Sequence, residues 1–221
     1  MKVTHLYHSG VFIETEHHLL LIDYYQGYLT LPPNKPLYVF VSHNHYDHYN
    51  HEIFNIHHPN IHYILSDDVP YRSNALMVKA HQTYTIDDIT IKTLKSTDKG
   101  VAFIIKVDQK VIYHAGDLHW WHWKDEDDIF NQYQKETYIQ EMNSIDENID
   151  LACIVIDKRL EENYLLGLTY FLKQVQCQYV LPIHYFGNYN ISESLQKEKP
   201  DNPYQACILN VKHQNQQFEL L

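Results

Sequence analysis

The chain has 221 residues, a mass of 26.4 kDa and a formal charge of −11 at pH 7. Its length and its 44% hydrophobic content predict one ordered domain over residues 1–221 and exclude a disordered or fibrous chain. The negative charge, the lack of a basic patch and the lack of an apolar run of about eighteen residues argue against nucleic-acid and membrane partners.

Two further observations concern the compartment. The N-terminal stretch MKVTHLYHSG lacks the long apolar segment of a secretory signal, so we expect a cytoplasmic protein. The cysteines Cys153, Cys177 and Cys207 are odd in number and form no C-x-x-C pair, which predicts neither a disulfide framework nor a thiolate zinc site.

The first quarter of the chain predicts a β-meander. The short segments KVTHLY, VFIETE and HLLLID are rich in β-branched, aromatic and other apolar residues, and turn-forming or polar residues separate them. After the linker LTLPPNKP, the segment LYVFVS shows no alternation of polar and apolar residues, which predicts a central strand covered on both faces. This strand leads directly into a group of histidines.

The rest of the chain predicts strands that later alternate with helices. Further strands are predicted at IHYIL, TYTI, ITIKTL, VAFIIKV, KVIYHAG, LACIVI and YVLPIH. Helices are predicted over residues 125–145 and 161–175, and the C-terminal stretch ACILNVKHQNQQFELL predicts a last hairpin. This order indicates two sheets that lie between helices.

The segment SHNHYDH has the ligand spacing of a two-metal site. Residues two apart in an extended chain point the same way, so His43 and His45 can reach one ion, while the turn after them directs Asp47 and His48 towards a second. Imidazole and carboxylate groups at this density suit zinc, manganese or iron. A solvated polar turn in a chain with 17 histidines is the alternative.

Two distant segments offer further ligands. Asp117 in YHAGDLHWWHW and His184 in LPIHYFG each follow an apolar strand, so both can lie at the same edge of the sandwich as the first histidines. Three separate strand ends with ligand-type residues favour a metal centre over a polar turn.

The order of the motifs in this chain resembles that of the metallo-β-lactamase fold superfamily. HSG and LLLID lie near the start, and SHNHYDH, GVAFII, KVIYHAGDLHWWHW and PIHYFG follow in that order. Within it, the chain is similar to small metal-dependent hydrolases related to ascorbate-6-phosphate lactonases. The resemblance implies an α/β fold, a four-layer αβ/βα sandwich of two mixed β-sheets flanked by helices. It also implies zinc at up to two sites, with first-site ligands His43 and His45, second-site ligands Asp47, His48 and His184, and a bridging Asp117.

One position departs from the family pattern. The loop before GVAFII usually supplies a third histidine to the first site, but here it reads KSTDKG, and Thr97 aligns with the missing imidazole. Asp98 is the strong ligand type in this loop. The first site is therefore expected to recruit Asp98, to bind metal weakly or to stay empty.

Residues near these motifs are candidates for a substrate pocket. His8 in YHSG matches a position near the metals in similar proteins, although it can equally be an ordinary turn histidine. His119 and Trp120 follow Asp117, where aromatic side chains can line a pocket or pack the next helix onto the sheet. Lys158 or Arg159 can receive an anionic substrate group or form an ion pair with a nearby carboxylate.

The resemblance implies a hydrolase in which a metal-activated water attacks a small ester, lactone or phosphoester, with Asp47 as the proton acceptor. Two alternatives stay open. One is a nuclease of the same fold, against which the charge of −11 weighs. The other is a non-catalytic metal-binding module with a degenerate first site.

Overall fold

Two mixed β-sheets form the centre of the fold, and the computed structural model describes residues 1–198 and 200–221. The first sheet contains β1 (Lys2–Tyr7), β2 (Gly10–Glu14), β3 (Leu19–Ile22), β4 (Leu37–Val41), β5 (Ile61–Ser66), β6 (Ala75–Val78) and β14 (Gln216–Glu219). The second contains β7 (Thr83–Ile86), β8 (Ile89–Lys95), β9 (Val101–Val107), β10 (Lys110–His114), β11 (Ile149–Val155), β12 (Cys177–Ile183) and β13 (Cys207–Ile208).

The order of the strands brings several loops to one edge of each sheet. In the first sheet, β14-β1-β2-β3-β4-β5-β6, the predicted meander is antiparallel and β3 to β6 run parallel. In the second, β13-β12-β11-β10-β9-β8-β7, β10 to β13 run parallel and the rest antiparallel. The carboxyl ends of parallel strands meet at one edge, where α/β proteins commonly bind ligands.

Three α-helices lie within the described residues: α1 (Asp128–Asn143), α2 (Leu166–Gln174) and α3 (Asn190–Glu198). The side chain of Asp127 begins α1, because it accepts a hydrogen bond of 2.7 Å from the backbone N–H of Phe130. Tyr138 of α1 and Phe171 of α2 are buried in the same core as the second sheet. Among the residues described, no helix combines the length and the apolar character needed to cross a membrane.

Side-chain alternation divides the apolar residues of the first sheet between two layers. Leu20 of β3 belongs to the core between the sheets, whereas Leu21 faces a second layer that includes Ile53 of a short 3-10 helix (His51–Asn55). All of β4 is buried, as predicted for a central strand. The two mixed sheets confirm the predicted sandwich, although a 3-10 helix and loops supply the residues that cover this face of the first sheet.

The predicted C-terminal hairpin is wrong. β13 pairs with β12 in the second sheet, whereas β14 pairs with β1 in the first, so this segment passes from one sheet to the other. Both β1 and β12 would otherwise present unpaired backbone groups at a sheet edge, and covering both edges satisfies more of them than a local hairpin would.

Helix boundaries and two short elements also differ from the predictions. The helix predicted to begin at residue 161 begins at Leu166, because Lys158–Asn163 form a 3-10 turn in which Glu161 has a left-handed φ of 52°. The helix predicted over residues 125–145 is shorter and spans Asp128–Asn143. β6 and α3 are not predicted, since a four-residue strand and a polar helix leave weak sequence patterns.

Candidate metal centre

The ends of five strands place polar side chains at one end of the sandwich. The residue segment 42–48 follows β4, Asp117 follows β10 and His184 follows β12. Asp23 and Asp157 follow β3 and β11 in the same way, and His8 lies in the turn between β1 and β2. The three segments that were predicted to meet from the sequence are brought together.

Two groups of ligand-type side chains lie next to each other at this end. The open cluster contains His43, His45, Asp98 and Asp117, and the buried cluster contains His8, Asp47, His48 and His184. Within each group the ligand atoms lie within 4.8 Å of one another. All four members of the buried cluster are buried, whereas His45 is only partly buried and Asp98 is exposed.

Asp117 contacts histidines of both clusters. Its Oδ2 lies 3.3 Å from Nε2 of His43, while its Oδ1 lies 3.1 Å from Nε2 of His48 and 3.2 Å from Nε2 of His184. A carboxylate with one oxygen on each side can bridge two cations held about 3.5 to 4 Å apart. This arrangement supports the bridging role that the resemblance implies.

Two of these imidazoles are held through their other ring nitrogen. Nδ1 of His48 lies 2.8 Å from Asp23 Oδ2, and Nδ1 of His184 lies 3.1 Å from Asp157 Oδ2. Because an ionised carboxylate can only accept, each Nδ1 carries a proton and donates it. Nε2 is then the ring nitrogen that could bind a metal ion beside Asp117 once its own proton is released.

Asp23 also sets the state of His43. Its carboxylate accepts hydrogen bonds from the backbone N–H of Ser42 at 2.7 Å and from the Ser42 hydroxyl at 2.6 Å. With its own proton directed to Asp23, Ser42 Oγ accepts from Nδ1 of His43 at 2.9 Å. His43 is therefore oriented like His48, with its Nε2 turned towards Asp117.

The donor set fits metal ions. His48 Nε2 and Asp117 Oδ1 are buried and make no hydrogen bond to any described residue, although they lie close together. Buried polar atoms without partners are costly, and a cation bound by both atoms would satisfy them. Imidazole and carboxylate ligands suit zinc, manganese or iron.

The electrostatics of the centre favour positive charge. Burial lowers the pKa of His184, but Asp117 and Asp157 outweigh it and raise the pKa to about 9. In the same way Asp117 and Asp23 outweigh burial and hold the pKa of His48 well above its usual range. Burial opposes ionisation of Asp117, yet the neighbouring histidines hold its pKa well below its usual range. The same carboxylates would stabilise a cation.

The open cluster lacks comparable support. Nδ1 of His45 lies 3.0 Å from His43 Nε2 and 3.4 Å from Asp98 Oδ2. The Thr97 hydroxyl is occupied, because it donates to the carbonyl of His119 at 2.6 Å and accepts from its N–H at 2.9 Å. Asp98 is thus the side chain of this loop that the structure brings into the cluster.

A glycine permits the close approach of this loop. Gly100 has a φ of +63°, and a Cβ there would lie 2.0 Å from the carbonyl oxygen of Ser42 and 2.8 Å from Cβ of His43. The N–H of Val101 donates to that same carbonyl at 2.9 Å. Glycine is therefore required for the loop with Asp98 to reach the histidine segment.

A cavity of about 390 Å³ opens over both clusters. Its lining residues are His45, Tyr46, Asp47, Thr97, Asp98, Asp117, Trp121, Trp123, Phe130, Gln134, Arg159, His184 and Phe186. This volume is within the range of small-molecule sites, which commonly combine an apolar wall with a few polar groups.

Arg159 is the basic residue at this cavity. Its Nε donates to both oxygens of Asp157 at 2.9 Å, and its Nη2 also contacts Asp157. The guanidinium carbon lies 5.7 Å from the ring centres of Trp123 and Phe186. The ion pair with Asp157, predicted as an alternative to substrate binding, is formed, while the Nη1 edge of the guanidinium makes no hydrogen bond within residues 1–198 and 200–221.

His119 and Trp120 do not line the cavity as predicted. His119 is fully buried, and Trp120 packs at 6.2 Å from the ring of Tyr170 on the helical side. Trp121 and Trp123 face the cavity instead. Trp121 thus lies where Trp120 was predicted.

Three supporting residues, Asp23, Ser42 and Asp157, are not predicted as site residues. Each follows a buried strand, in LLLID, LYVFVS and LACIVID, so a polar residue directly after an apolar run is the signal that could have found them. The expectation that acceptors lie behind the histidines agrees with their positions.

The chain matches a known family and several solved structures. A family model described as "Beta-lactamase superfamily domain" matches residues 2–184. The structure resembles Igni18, a metallo hydrolase from the archaeon Ignicoccus hospitalis, with 17% identity, a TM-score of 0.64 and 100% of both chains covered. It also resembles YhfI from Bacillus subtilis, a metallo-β-lactamase fold protein, with 17% identity, a TM-score of 0.65 and 99% of both chains covered.

A third solved structure belongs to a longer protein. CmlA, a diiron β-hydroxylase from Streptomyces venezuelae, is 12% identical with a TM-score of 0.65, and the match covers 99% of this chain and 54% of that one. At these identities the likeness shows the fold alone. No curated protein matches the chain.

Proposed function

The chain belongs to the beta-lactamase superfamily of metal-dependent hydrolases, and from this premise we propose that it hydrolyses a small ester, lactone or phosphoester. The observation that carries the proposal is the convergence of three imidazole Nε2 atoms on Asp117 at the floor of an aromatic cavity. The substrate is a small molecule. The closer relation to ascorbate-6-phosphate lactonases stays a prediction.

Each cluster has residues suited to one ion. His43, His45 and Asp98 would hold the first ion, Asp47, His48 and His184 the second, and Asp117 would contact both. Bound ions supply a water of lowered pKa and positive charge for the oxygen that becomes negative. We propose zinc for both clusters, whose imidazole and carboxylate ligands also suit manganese or iron.

Asp47 is the proposed proton acceptor. Burial opposes its ionisation, but the contact with His8 and the charge of His48 lower its pKa to about 2. The carboxylate is therefore ionised at neutral pH and lines the cavity, where it can accept a proton from an attacking water.

The cavity supports a substrate with an apolar or aromatic part and an anionic group. Trp121, Trp123, Phe130 and Phe186 offer ring surfaces that exclude water from a bound substrate. Arg159 binds Asp157 through one edge of its guanidinium, and the other edge can receive a carboxylate or phosphate in bidentate fashion.

A comparison of charged and uncharged substrates tests this proposal. The zinc-loaded protein, and the same protein after chelation, would be assayed on esters, lactones and phosphodiesters with and without an anionic substituent. We expect turnover in the loaded protein alone. For Arg159→Gln, the KM for the anionic members should rise about 10-fold or more, since a charged hydrogen bond contributes about 1.5 to 3 kcal/mol.

The uncharged substrates control for the effect of Arg159→Gln on Asp157 and His184, and their KM should change little. A loaded protein that binds two ions per chain and turns over none of the substrates would instead support the non-catalytic module. Hydrolysis that is equally fast after chelation would contradict a metal-dependent reaction.

A further inference from the structure

The position of His8 in the buried cluster does not by itself show whether this residue is a metal ligand. It lies in the turn between β1 and β2 with a left-handed φ of 54°, and it is fully buried. Its ring stacks on Phe186 at 3.8 Å and lies 4.3 Å from the ring of His184. By distance alone, its Nε2 could be a ligand together with Asp47, His48 and His184.

The hydrogen bond at its other ring nitrogen distinguishes His8 from the other histidines of the centre. The backbone N–H of Phe186 points at Nδ1 of His8 across 3.2 Å. A backbone N–H can only donate, so Nδ1 is the acceptor, and the neutral ring must carry its proton on Nε2. In His43, His48 and His184 the opposite holds, because Nδ1 of each faces an acceptor.

A protonated ring nitrogen has no lone pair to give to a metal ion. Nε2 of His8 lies 3.1 Å from Oδ2 of Asp47, a close contact with an acceptor that is not aligned as a hydrogen bond. The ring is also fixed in place, since Phe186 both stacks on it and donates to it. In the buried cluster, His48 and His184 therefore have Nε2 as the nitrogen that a metal ion could use, whereas the Nε2 of His8 carries a proton that faces Asp47.

We propose that His8 is a positioning residue and not a metal ligand: the 3.1 Å contact of its Nε2–H with Oδ2 of Asp47 keeps the carboxylate in the orientation in which it binds metal and accepts a proton. This inference rests on the proposed function for its effect on catalysis, but its claim about ligands does not. Without His8, the side chains of Asp47, His48, His184 and Asp117 would still offer ligands to an ion at this cluster.

The backbone of the same turn supports this role. The carbonyl of His8 accepts from the N–H of His184 at 3.1 Å and from Nε2 of His5 at 3.2 Å. The turn that carries His8 is thus attached to the loop after β12, and the distance between His8 and Asp47 depends on both. A ring held in this way can orient Asp47 without movement of the turn.

Ring nitrogen chemical shifts test the assignment without any substrate. In zinc-loaded protein labelled with ¹⁵N-histidine, the signals of His43, His48 and His184 should show a protonated Nδ1, and that of His8 a protonated Nε2. Substitution of each histidine in turn assigns the signals. A His8 signal with a protonated Nδ1 and a metal-shifted Nε2 would overturn the proposal.

Three variants test the effect on the centre. His8→Gln places an amide donor near the position of Nε2, whereas the side chains of His8→Asn and His8→Ala do not reach Asp47. All three should bind the same number of zinc ions per chain as the parent protein, measured by elemental analysis after dialysis. Loss of one ion from His8→Gln, with the fold intact by circular dichroism, would make His8 a ligand.

The activity of the same variants separates positioning from a merely structural role. On a hydrolysed substrate, kcat should fall about 10- to 100-fold in His8→Asn and His8→Ala with little change in KM, and His8→Gln should recover most of it. An equal fall of kcat in His8→Gln and His8→Asn would contradict the role of His8 as a donor to Asp47. If the parent protein hydrolyses nothing, the proposed function fails, while ion count and ring shifts still decide whether His8 is a ligand.

Discussion

The buried and open clusters share Asp117 but differ in how their histidines are held. In the buried cluster, His48 and His184 each donate from Nδ1 to a buried carboxylate. In the open cluster, His43 is held by a serine hydroxyl, and the ring of His45 contacts His43 and the exposed Asp98. The two clusters therefore have similar ligand types, but they differ in the groups that hold the histidine rings in place.

This difference indicates that the two ions would be held with unequal strength. An imidazole fixed by a carboxylate loses little freedom on binding a cation and is a better donor. His45 and Asp98 are instead accessible to water, which competes with an ion for their ligand atoms. We expect the buried cluster to fill first and the open cluster to exchange its ion more readily.

Removing an imidazole from the buried cluster should have the largest effect on this comparison. His184→Ala removes a side chain that contacts both Asp117 and Asp157, so the chain should bind one ion fewer and lose measurable hydrolysis. Elemental analysis and a rate assay would show this. His62→Ala, on β5, is the matched control and should leave both unchanged; an unaltered ion count in His184→Ala would refute a ligand role.

Removing the support behind the ligands should have a smaller effect. Asp23→Asn replaces one carboxylate oxygen by an NH2 donor. Either the Ser42 backbone N–H or Nδ1 of His48 then faces a donor in place of an acceptor. We expect about a 10- to 100-fold loss of zinc affinity, measured by competition with a chelator. Asp88→Asn, an exposed aspartate that contacts His18, should bind zinc as the parent does.

Changing the exposed carboxylate should affect the open cluster alone. For Asp98→Asn we expect one ion to dissociate at lower chelator concentration, by about 10-fold, while the second ion is retained as before. The exposed Asp125→Asn serves as the control. Equal weakening of both ions would show that the clusters are coupled through Asp117 more strongly than their separate supports suggest.

A network of similar residues at the opposite end of the sheets should have no effect on the centre. Asp108 accepts from the Thr15 hydroxyl at 2.6 Å and contacts Nδ1 of His17 at 2.9 Å and of His18 at 3.0 Å. The other ring nitrogen of His18 contacts the exposed Asp88 at 2.9 Å. Asp108→Asn should leave zinc binding unchanged and lower stability at pH 7 by about 1.5 to 3 kcal/mol.

The stability effect of Asp108→Asn should depend on pH. Burial opposes ionisation of Asp108, but the hydrogen bonds from Thr15, His17 and His18 hold its pKa well below its usual range. A carboxyl with a lowered pKa stabilises the fold above the pKa of the unfolded chain, about 4, and this contribution is lost as the pH falls through the folded pKa. Urea unfolding at pH 7 and about pH 3 should therefore show a smaller difference at the acid pH.

Much of the fold and of the candidate site could be predicted because the informative patterns are local. Apolar segments of five to seven residues predicted most strands, including the fully buried β4. Each ligand-type residue predicted from SHNHYDH, HAGD and PIH directly follows one of these strands, so the order of strands was enough to expect that they meet.

What could not be predicted depends on contacts between distant segments. The C-terminal segment pairs with β1 and β12, which lie far from it in sequence, and local residue patterns do not select one sheet edge over another. Trp121 faces the cavity in place of Trp120 because the direction of the chain after Asp117 decides which side chains point inwards.

The sequence alone determined which chemical groups are available: imidazoles and carboxylates placed at strand ends, and a loop without the usual third histidine. The tertiary structure decided how each group is used. Whether a ring nitrogen presents a lone pair or a proton depends on what lies behind the ring, and for His8 that partner is the backbone of Phe186, 178 residues away in the chain. No local pattern contains this information, because the state of a histidine is set by its spatial neighbours.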